Sequence, residues 1–473
     1  MRGRYPALSH DPAGVSVVFD DPNLVSCAGL APVVALAGRA GLDHLVAQSL
    51  TVPGKAGANA QLKVGALVAG MVAGADSIDD MDLLRHGGMA RLFSGVRAPT
   101  TLGAFLRGFA FGHVRQLDAV AARFLAGLAR CTPLLPGAEA MAYVDIDDTV
   151  RATHGYLKQG SGFGYTGVRG LNVLLGVIST PLTAPVIAGT RLRKGSANSA
   201  RGAARLIADT LVTARTVGAD PRRGTRVLLR ADTAFFTADV VAAARRARAQ
   251  FSIGARMTAT VKKAIASIPA ESWTTIHYPN AFEDPDTGEL ISDAEVAEVP
   301  VFTAFTSRPK REHVTARLIV RRVKRKNPRA VDAQGELFAD SSTHRYHAIF
   351  TDSTETMLAA ENTHRGHAIV EQVIADLKNG PLAHLPSGKF TANAAWLVLA
   401  AMAFNLLRAA GALAGTLLAK ATTATLRTRL ITVPARLARS ARRLTLHLPL
   451  DWPWQTAWQH LADATMHAPP RPA

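Results

Sequence analysis

The spacing of apolar positions changes near residue 140. Before it, apolar residues recur at steps of three and four, as in Val33–Leu36 and Leu62–Val72, and predict helices. A further helix is predicted over Pro99–Arg107, with a threonine cap ahead of its apolar run. From Met141 to Asp147 the pattern alternates instead, with Tyr143, Asp145 and Asp147 on one face and Val144 and Ile146 on the other, so a strand is expected. Strand patterns return at Asn172–Ile178 and Pro185–Leu192, and a helix is predicted from Asn198 to Val217. A strand at Val227–Asp232 leads into a helix over Ala238–Gln250, capped by Thr237 and stapled by Phe236 against Val241. Phe251–Met257 reads as one more strand.

Three strands, helix, strand, helix, strand is the order of a ribonuclease-H-like α/β core, and this is the expected fold class. A mixed-sheet catalytic core over 136–257 and 346–420 would be interrupted by a mostly β insertion domain at 258–345, with strands at Thr274–Tyr278, Val299–Phe305 and Ala316–Val323. Residues 1–135 would form a helical DNA-binding or dimerisation region, and 421–473 a basic C-terminal region with Trp452, Trp454 and Trp458. The Asp284–Glu289 stretch has calcium-loop acids but lacks the rest of such a loop, so a turn is expected. One helix is predicted from Glu361 to Pro381, capped by Asn362 or Thr363 and ended by Gly380-Pro381, with Val370, Val373, Ile374 and Leu377 buried. The apolar run Ala394–Leu418 has the length of a membrane span, but Asn405 and Arg408 interrupt it; a central Arg costs several kcal/mol in lipid, so a buried core helix and no membrane partner are expected.

Charge adds a partner class. With 54 Lys+Arg against 36 Asp+Glu the chain carries a formal +18, and such a surplus calls for an anionic partner such as nucleic acid. The run Arg317–Lys326 is basic with an apolar alternate face; it suits a strand that faces DNA through Arg317, Arg321, Arg322 and Lys324, or else an edge strand guarded by charge. Two cysteines, Cys27 and Cys131, provide neither a disulfide framework nor a CxxC motif, which fits a reducing cytoplasm.

The chemistry rests on carboxylates. Asp147 ends the first strand and Asp232 a later parallel one, and ligands gather beyond the carboxyl ends of such strands. Cleaving a phosphodiester requires an activated oxygen nucleophile and relief of charge at phosphorus, which two Mg²⁺ ions held by hard carboxylate oxygens supply. His364, His367, Glu371 and Lys378 follow at steps of three, four and seven, so a third carboxylate shares a helix face with cationic groups. Solvated acids on a strand end or helix surface are the plain alternative. Asp145 shares the strand face of Asp147 and remains an alternative first ligand.

Several strings together resemble insertion-sequence transposases of the DDE class, most nearly the type numbered thirteen-eighty. They are Asp145–Thr149 with His154-Gly155, Arg193–Asn198, Leu229–Phe235, Phe251–Met257, the Glu371 helix, and His384–Phe390 running into Asn393–Trp396 and Asn405-Leu406. The resemblance spans about residues 85–450. It implies a ribonuclease-H-like catalytic domain, the triad Asp147, Asp232 and Glu371, Mg²⁺ (with Mn²⁺ able to substitute) as cofactor, and cut-and-paste movement of DNA. It also implies binding to double-stranded terminal inverted repeats and target DNA, a homodimer in the synaptic complex, and a bacterial cytoplasmic, nucleoid-associated location. Arg193, His364, His367 and Lys378 join the basic strand as expected DNA contacts. Related families carry Tyr and Arg before the catalytic Glu where this chain has His364 and His367, which removes a permanent forked charge. The competing functions are a catalytically inactive DNA-binding derivative and a metal-dependent nuclease that does not join.

Overall fold

The computed structural model describes residues 9–155, 157–276, 294–324 and 344–467. The alternating run at Met141 becomes strand β1 (Met141–Ala152). The short β2 (Gly162–Phe163) and the longer β3 (Arg169–Ser179) follow, and β3 pairs antiparallel with β1 on one side and with β4 (Val186–Lys194) on the other. On its other side β1 pairs in parallel with β5 (Arg226–Ala231), which pairs in parallel with β6 (Gln250–Ala255). This mixed order is compatible with the ribonuclease-H-like core expected from the sequence.

The strands expected within 258–345 do not form a separate layer. β7 (Thr274–Ile276), β8 (Ala294–Ala304), β9 (Val314–Lys324) and β10 (His344–Thr351) continue the same sheet, because β10 pairs antiparallel with β6. Among the described residues the result is one ten-stranded sheet. Aromatic packing explains the continuity: Phe350 of β10 lies 5.3 Å from Phe251 of β6 and 6.0 Å from Phe302 of β8, centroid to centroid. The end of the expected strand at Tyr278, the acidic Asp284–Glu289 turn and the last two residues of the basic run lie outside the described residues.

The first helices, α1 (Leu30–Arg39), α2 (Ala60–Ala73) and α3 (Phe111–Cys131), surround a long C-terminal helix described below. The helix over Pro99–Arg107 opens on Pro99 itself after Ala98, so its threonines lie inside the first turn rather than at the cap. Helix α4 (Ala203–Thr216) lies on β3 and β4. It approaches very closely, since a Cβ on Gly176 would stand 2.1 Å from Thr210 Oγ1. Helix α5 (Ala238–Arg246) is capped by Thr237, whose hydroxyl accepts from Val240 N–H. It stops short of Gln250 because Arg248 turns left-handed, at φ 62°.

The apolar run near residue 394 is a helix, Phe390–Ala414, buried within the protein. Asn405 in it accepts from Ile187 N–H at 2.8 Å and donates to Ile187 O at 2.7 Å, and Arg408 faces Asp376 at 3.4 Å. Its polar residues thus bind other parts of the fold. The basic C-terminal stretch is a hairpin, Ala435–Ser440 with Arg443–His447, that pairs with Leu24–Val25. Among the described residues the main apolar core runs from Val25 to Leu461, with smaller buried clusters around Ile319 and around Trp458.

Candidate active site

Strand register brings two carboxylates together. Ile146 of β1 is aligned with Ala231 of β5, so the next residues, Asp147 and Asp232, fall side by side where β5 ends. Neighbouring strands lie about 4.8 Å apart. Asp147 Oδ1 accepts from Asp148 N–H at 2.7 Å, and Asp232 Oδ1 accepts from Ala234 N–H at 2.9 Å in a short turn. Among the described residues neither has an ion pair with Lys or Arg. Burial pushes the Asp147 carboxyl up to about 6, against the Asp148 N–H and nearby His367, and Asp232 adds repulsion. Burial likewise raises Asp232. Tyr165, on the loop after β2, senses the same negative charge: burial, then Asp148, Asp147 and Asp232, push its hydroxyl up to about 12.

Asp145, two residues earlier on the same face, is fully buried and already neutralised. Arg230 of β5 grips it with two bonds of 2.8 Å, and His367 Nδ1 stands 2.9 Å from its Oδ1. Burial alone would raise its carboxyl, but Arg230 and His367 outweigh that and hold it low. The opposite face is built differently. Asp148 there binds Arg193 at 2.7 Å, and Asn172 Oδ1 receives Arg193 Nε at 2.9 Å. Arg193 Nη1 donates to the carbonyls of Asn198, Ser199 and Arg201. Expected at the DNA surface, Arg193 is instead a buried clamp whose donors are all engaged.

The helix expected from Glu361 is two helices. The first, α6 (Met357–Arg365), begins four residues before Glu361 with Thr356 as its cap; a 3₁₀ turn (Gly366–Ala368) then leads into α7 (Ile369–Lys378). Val370, Val373 and Leu377 bury α7 as the spacing predicts, while Ile374 is only partly covered. At the break Arg230 Nη1 donates to Thr363 O at 2.8 Å, the carbonyl that an uninterrupted α-helix offers to residue 367.

The two histidines differ. His364 Nδ1 meets Ser252 Oγ at 2.9 Å, and burial, with His367 and Arg230 nearby, lowers it to about 3. For His367 burial opposes the charge, but the bond and charge of Asp145 prevail and raise it. Both are partly buried and line the cavity that holds Glu371. Glu371 is exposed and shares a cavity of about 340 Å³ with Asp232, His364 and His367. Lys378 is half-buried; burial and Arg151 lower it, and Asp147 partly restores it. Among the described residues no three of His, Cys, Asp and Glu stand close enough to enclose a metal ion. Asp147 and Asp232 as hard, unneutralised oxygen donors do suit a divalent cation.

The basic run on β9 is interior to the sheet, between β8 and β10, and is therefore not an edge strand. Arg322 binds Glu295 at 2.7 Å and lies 4.2 Å from the Trp273 ring centroid. Arg317 faces Glu298 at 3.5 Å and Arg321 faces Glu361 at 3.7 Å. Lys324, at the end of β9, is exposed. Sequence reasoning assigned no role to Arg230, Asn172 or Tyr165. Arg230 did carry a signal: an arginine inside the apolar Val227–Ala231 run is rarely buried unless paired.

The family model for the transposase DDE domain, group 1, matches residues 9–469. The chain belongs to that family. No curated protein matches it significantly. Transposases of this family move DNA by cleaving and transferring strands, with divalent metal as the general requirement. That requirement gives the unneutralised carboxylates of this DDE transposase domain a chemical context.

Proposed function

We propose that the chain is a DNA transposase that binds the terminal inverted repeats of its own element as a homodimer, and cuts and joins DNA in a metal-dependent, cut-and-paste reaction. The catalytic triad in this reading is Asp147, Asp232 and Glu371, with Asp147 rather than Asp145 as the first carboxylate. One observation carries it: Asp147 and Asp232 lie side by side where β5 ends, with raised carboxyls and no Lys or Arg partner among the described residues, whereas Asp145 is already saturated. Glu371, on the helix crossing the same face, lines a cavity with Asp232, whereas Glu361, also on that cavity, is tied to Arg365 at 2.9 Å.

Divalent cations, Mg²⁺ or Mn²⁺, would be held by Asp147 and Asp232 with Glu371, and would supply activation of a water or 3′-hydroxyl and relief of charge at phosphorus. Asp232 is oriented for this by the Ala234 N–H, and Asp147 by the Asp148 N–H. Lys378 lies on the Asp147 side of α7 and would hold a DNA phosphate; exposed Lys324 extends the basic surface. The +18 charge supports DNA as the partner.

Asp232→Asn tests the reading. Cleavage of end-containing DNA in Mg²⁺ should fall by about 10³-fold while end binding persists. Equal cleavage by the variant and the parent removes Asp232 from the site. Cleavage by the parent without strand transfer, on synapsed ends, would identify a nuclease instead.

A further inference from the structure

We propose that Asp145, Arg230 and His367 form an internal brace that breaks the Glu371 helix at Gly366–Ala368 and so sets the approach of Glu371 to Asp147 and Asp232. This rests on the carboxylate reading above.

Arg230 commits every arm of its guanidinium. Nε and Nη2 hold Asp145 at 2.8 Å each, Nη1 holds the Thr363 carbonyl at 2.8 Å, and the guanidinium carbon lies 4.1 Å from the Tyr143 ring centroid. Reaching Thr363 requires passing Gly366, where a Cβ would stand 2.6 Å from Nη1, so glycine is what lets the arginine through. His367, next in the chain, is tied to the same carboxylate at 2.9 Å. The three side chains are nearly sealed, at 0% exposure for Asp145, 3% for Arg230 and 13% for His367. A buried ion pair adds little net stability over apolar packing, so its contribution here is geometric.

The geometry reaches Glu371 four residues later. Three residues wound as a 3₁₀ turn rather than as α-helix rotate α7 by roughly 60° and carry it about 1.5 Å further along the axis. A carboxylate on the far side of that turn moves by several times the roughly 1 Å misplacement that already costs about 100-fold in rate. His367 is therefore a positioning residue: it acts on the reaction through the path of the helix.

The test uses the full chain with His367→Ala, His367→Asn and Gly366→Ala. The asparagine keeps an N–H donor for Asp145 and discards the rest of the imidazole. Steady-state cleavage of end DNA, Mn²⁺ binding to the free protein and amide exchange over 363–371 are measured for each. Expected are a kcat loss of about 100-fold for His367→Ala and Gly366→Ala, at unchanged KM for DNA, with faster exchange over 363–371. Mn²⁺ binding should weaken about tenfold in both, and His367→Asn should stay within about tenfold of the parent in kcat. If His367→Asn falls as far as His367→Ala while exchange is unchanged, the imidazole acts chemically and the brace is overturned. Parental kcat in His367→Ala and Gly366→Ala overturns it too. Failure of the carboxylate reading shows separately, as Mn²⁺ binding by Asp147→Asn equal to that of the parent, whereas amide exchange reports the brace without metal.

Discussion

Asp145 and Asp147 project from one face of β1 two residues apart, and their surroundings could hardly differ more. At the level of Asp145 the neighbouring strand still runs alongside and presents Arg230, which neutralises the acid with two bonds. At the level of Asp147 that strand has ended, and its next residue, Asp232, is another acid. Two residues along the strand thus separate an ion pair that belongs to the fold from a pair of like charges eased only by backbone N–H groups and nearby His367, with no Lys or Arg bonded to them among the described residues. The lesson is that a buried acid reports function when it lacks a partner, because a paired one is already accounted for by structure.

Opposite signs of stability are expected at the two levels, and the largest effect lies at the paired acid. Asp145→Asn leaves Arg230 as an uncompensated buried charge and should destabilise the protein by about 3–5 kcal/mol. Chemical denaturation without metal measures this, and a loss below about 1 kcal/mol would erase the distinction between the two levels.

At the unpaired acid the same substitution should stabilise. Raising Asp147 from 3.8 to about 6 corresponds to roughly 3 kcal/mol carried by the metal-free fold at neutral pH. Asp147→Asn should recover part of it and melt later than the parent. Mg²⁺ should raise the parent's melting temperature and leave the variant's nearly unmoved. Earlier melting of Asp147→Asn without metal would mean that Asp147 has a partner after all.

The pH dependence sharpens the comparison further. The folded protein keeps the Asp147 proton to a higher pH than the unfolded chain does. The contribution of this group to metal-free stability should therefore fall as pH rises from about 4 through about 6, then level off. Comparing denaturation of the parent with that of Asp147→Asn across this window isolates it; parallel curves would remove the shift.

The smallest effect separates DNA contacts from structural cations. Lys378→Ala should weaken DNA binding and reduce its salt slope by about 1, without rescue by added Mg²⁺. Arg193→Gln should leave the slope unchanged and destabilise the fold instead, because Asp148 loses its partner. Fluorescence anisotropy across a salt series distinguishes the two.

Much of this was legible in the chain. Local periodicity predicted β3, β4, β5 and β6 to within a few residues and put Asp232 just past a strand end, but β1 runs beyond the expected end at Asp147 to Ala152, because it stays paired with β3. It also predicted the buried stripe of α7. Four features escaped it: the clamp role of Arg193, the break at Gly366, the partly buried histidines and the interior position of β9. Each depends on residues far apart in sequence. Arg230 reaches Asp145 across 85 positions, His367 reaches it across 222, and β6 meets β10 across about a hundred.

The sequence by itself determined the elements, the basic balance and the order of the acids, since propensity, spacing and charge are local properties of the chain. Which acid is neutralised and which is left bare was decided only in the tertiary structure. Strand register and the point at which β5 ends choose whether Arg230 or Asp232 stands beside a given aspartate, and a shift of two residues would bring Asp147 beside Arg230 or Asp145 beside Asp232.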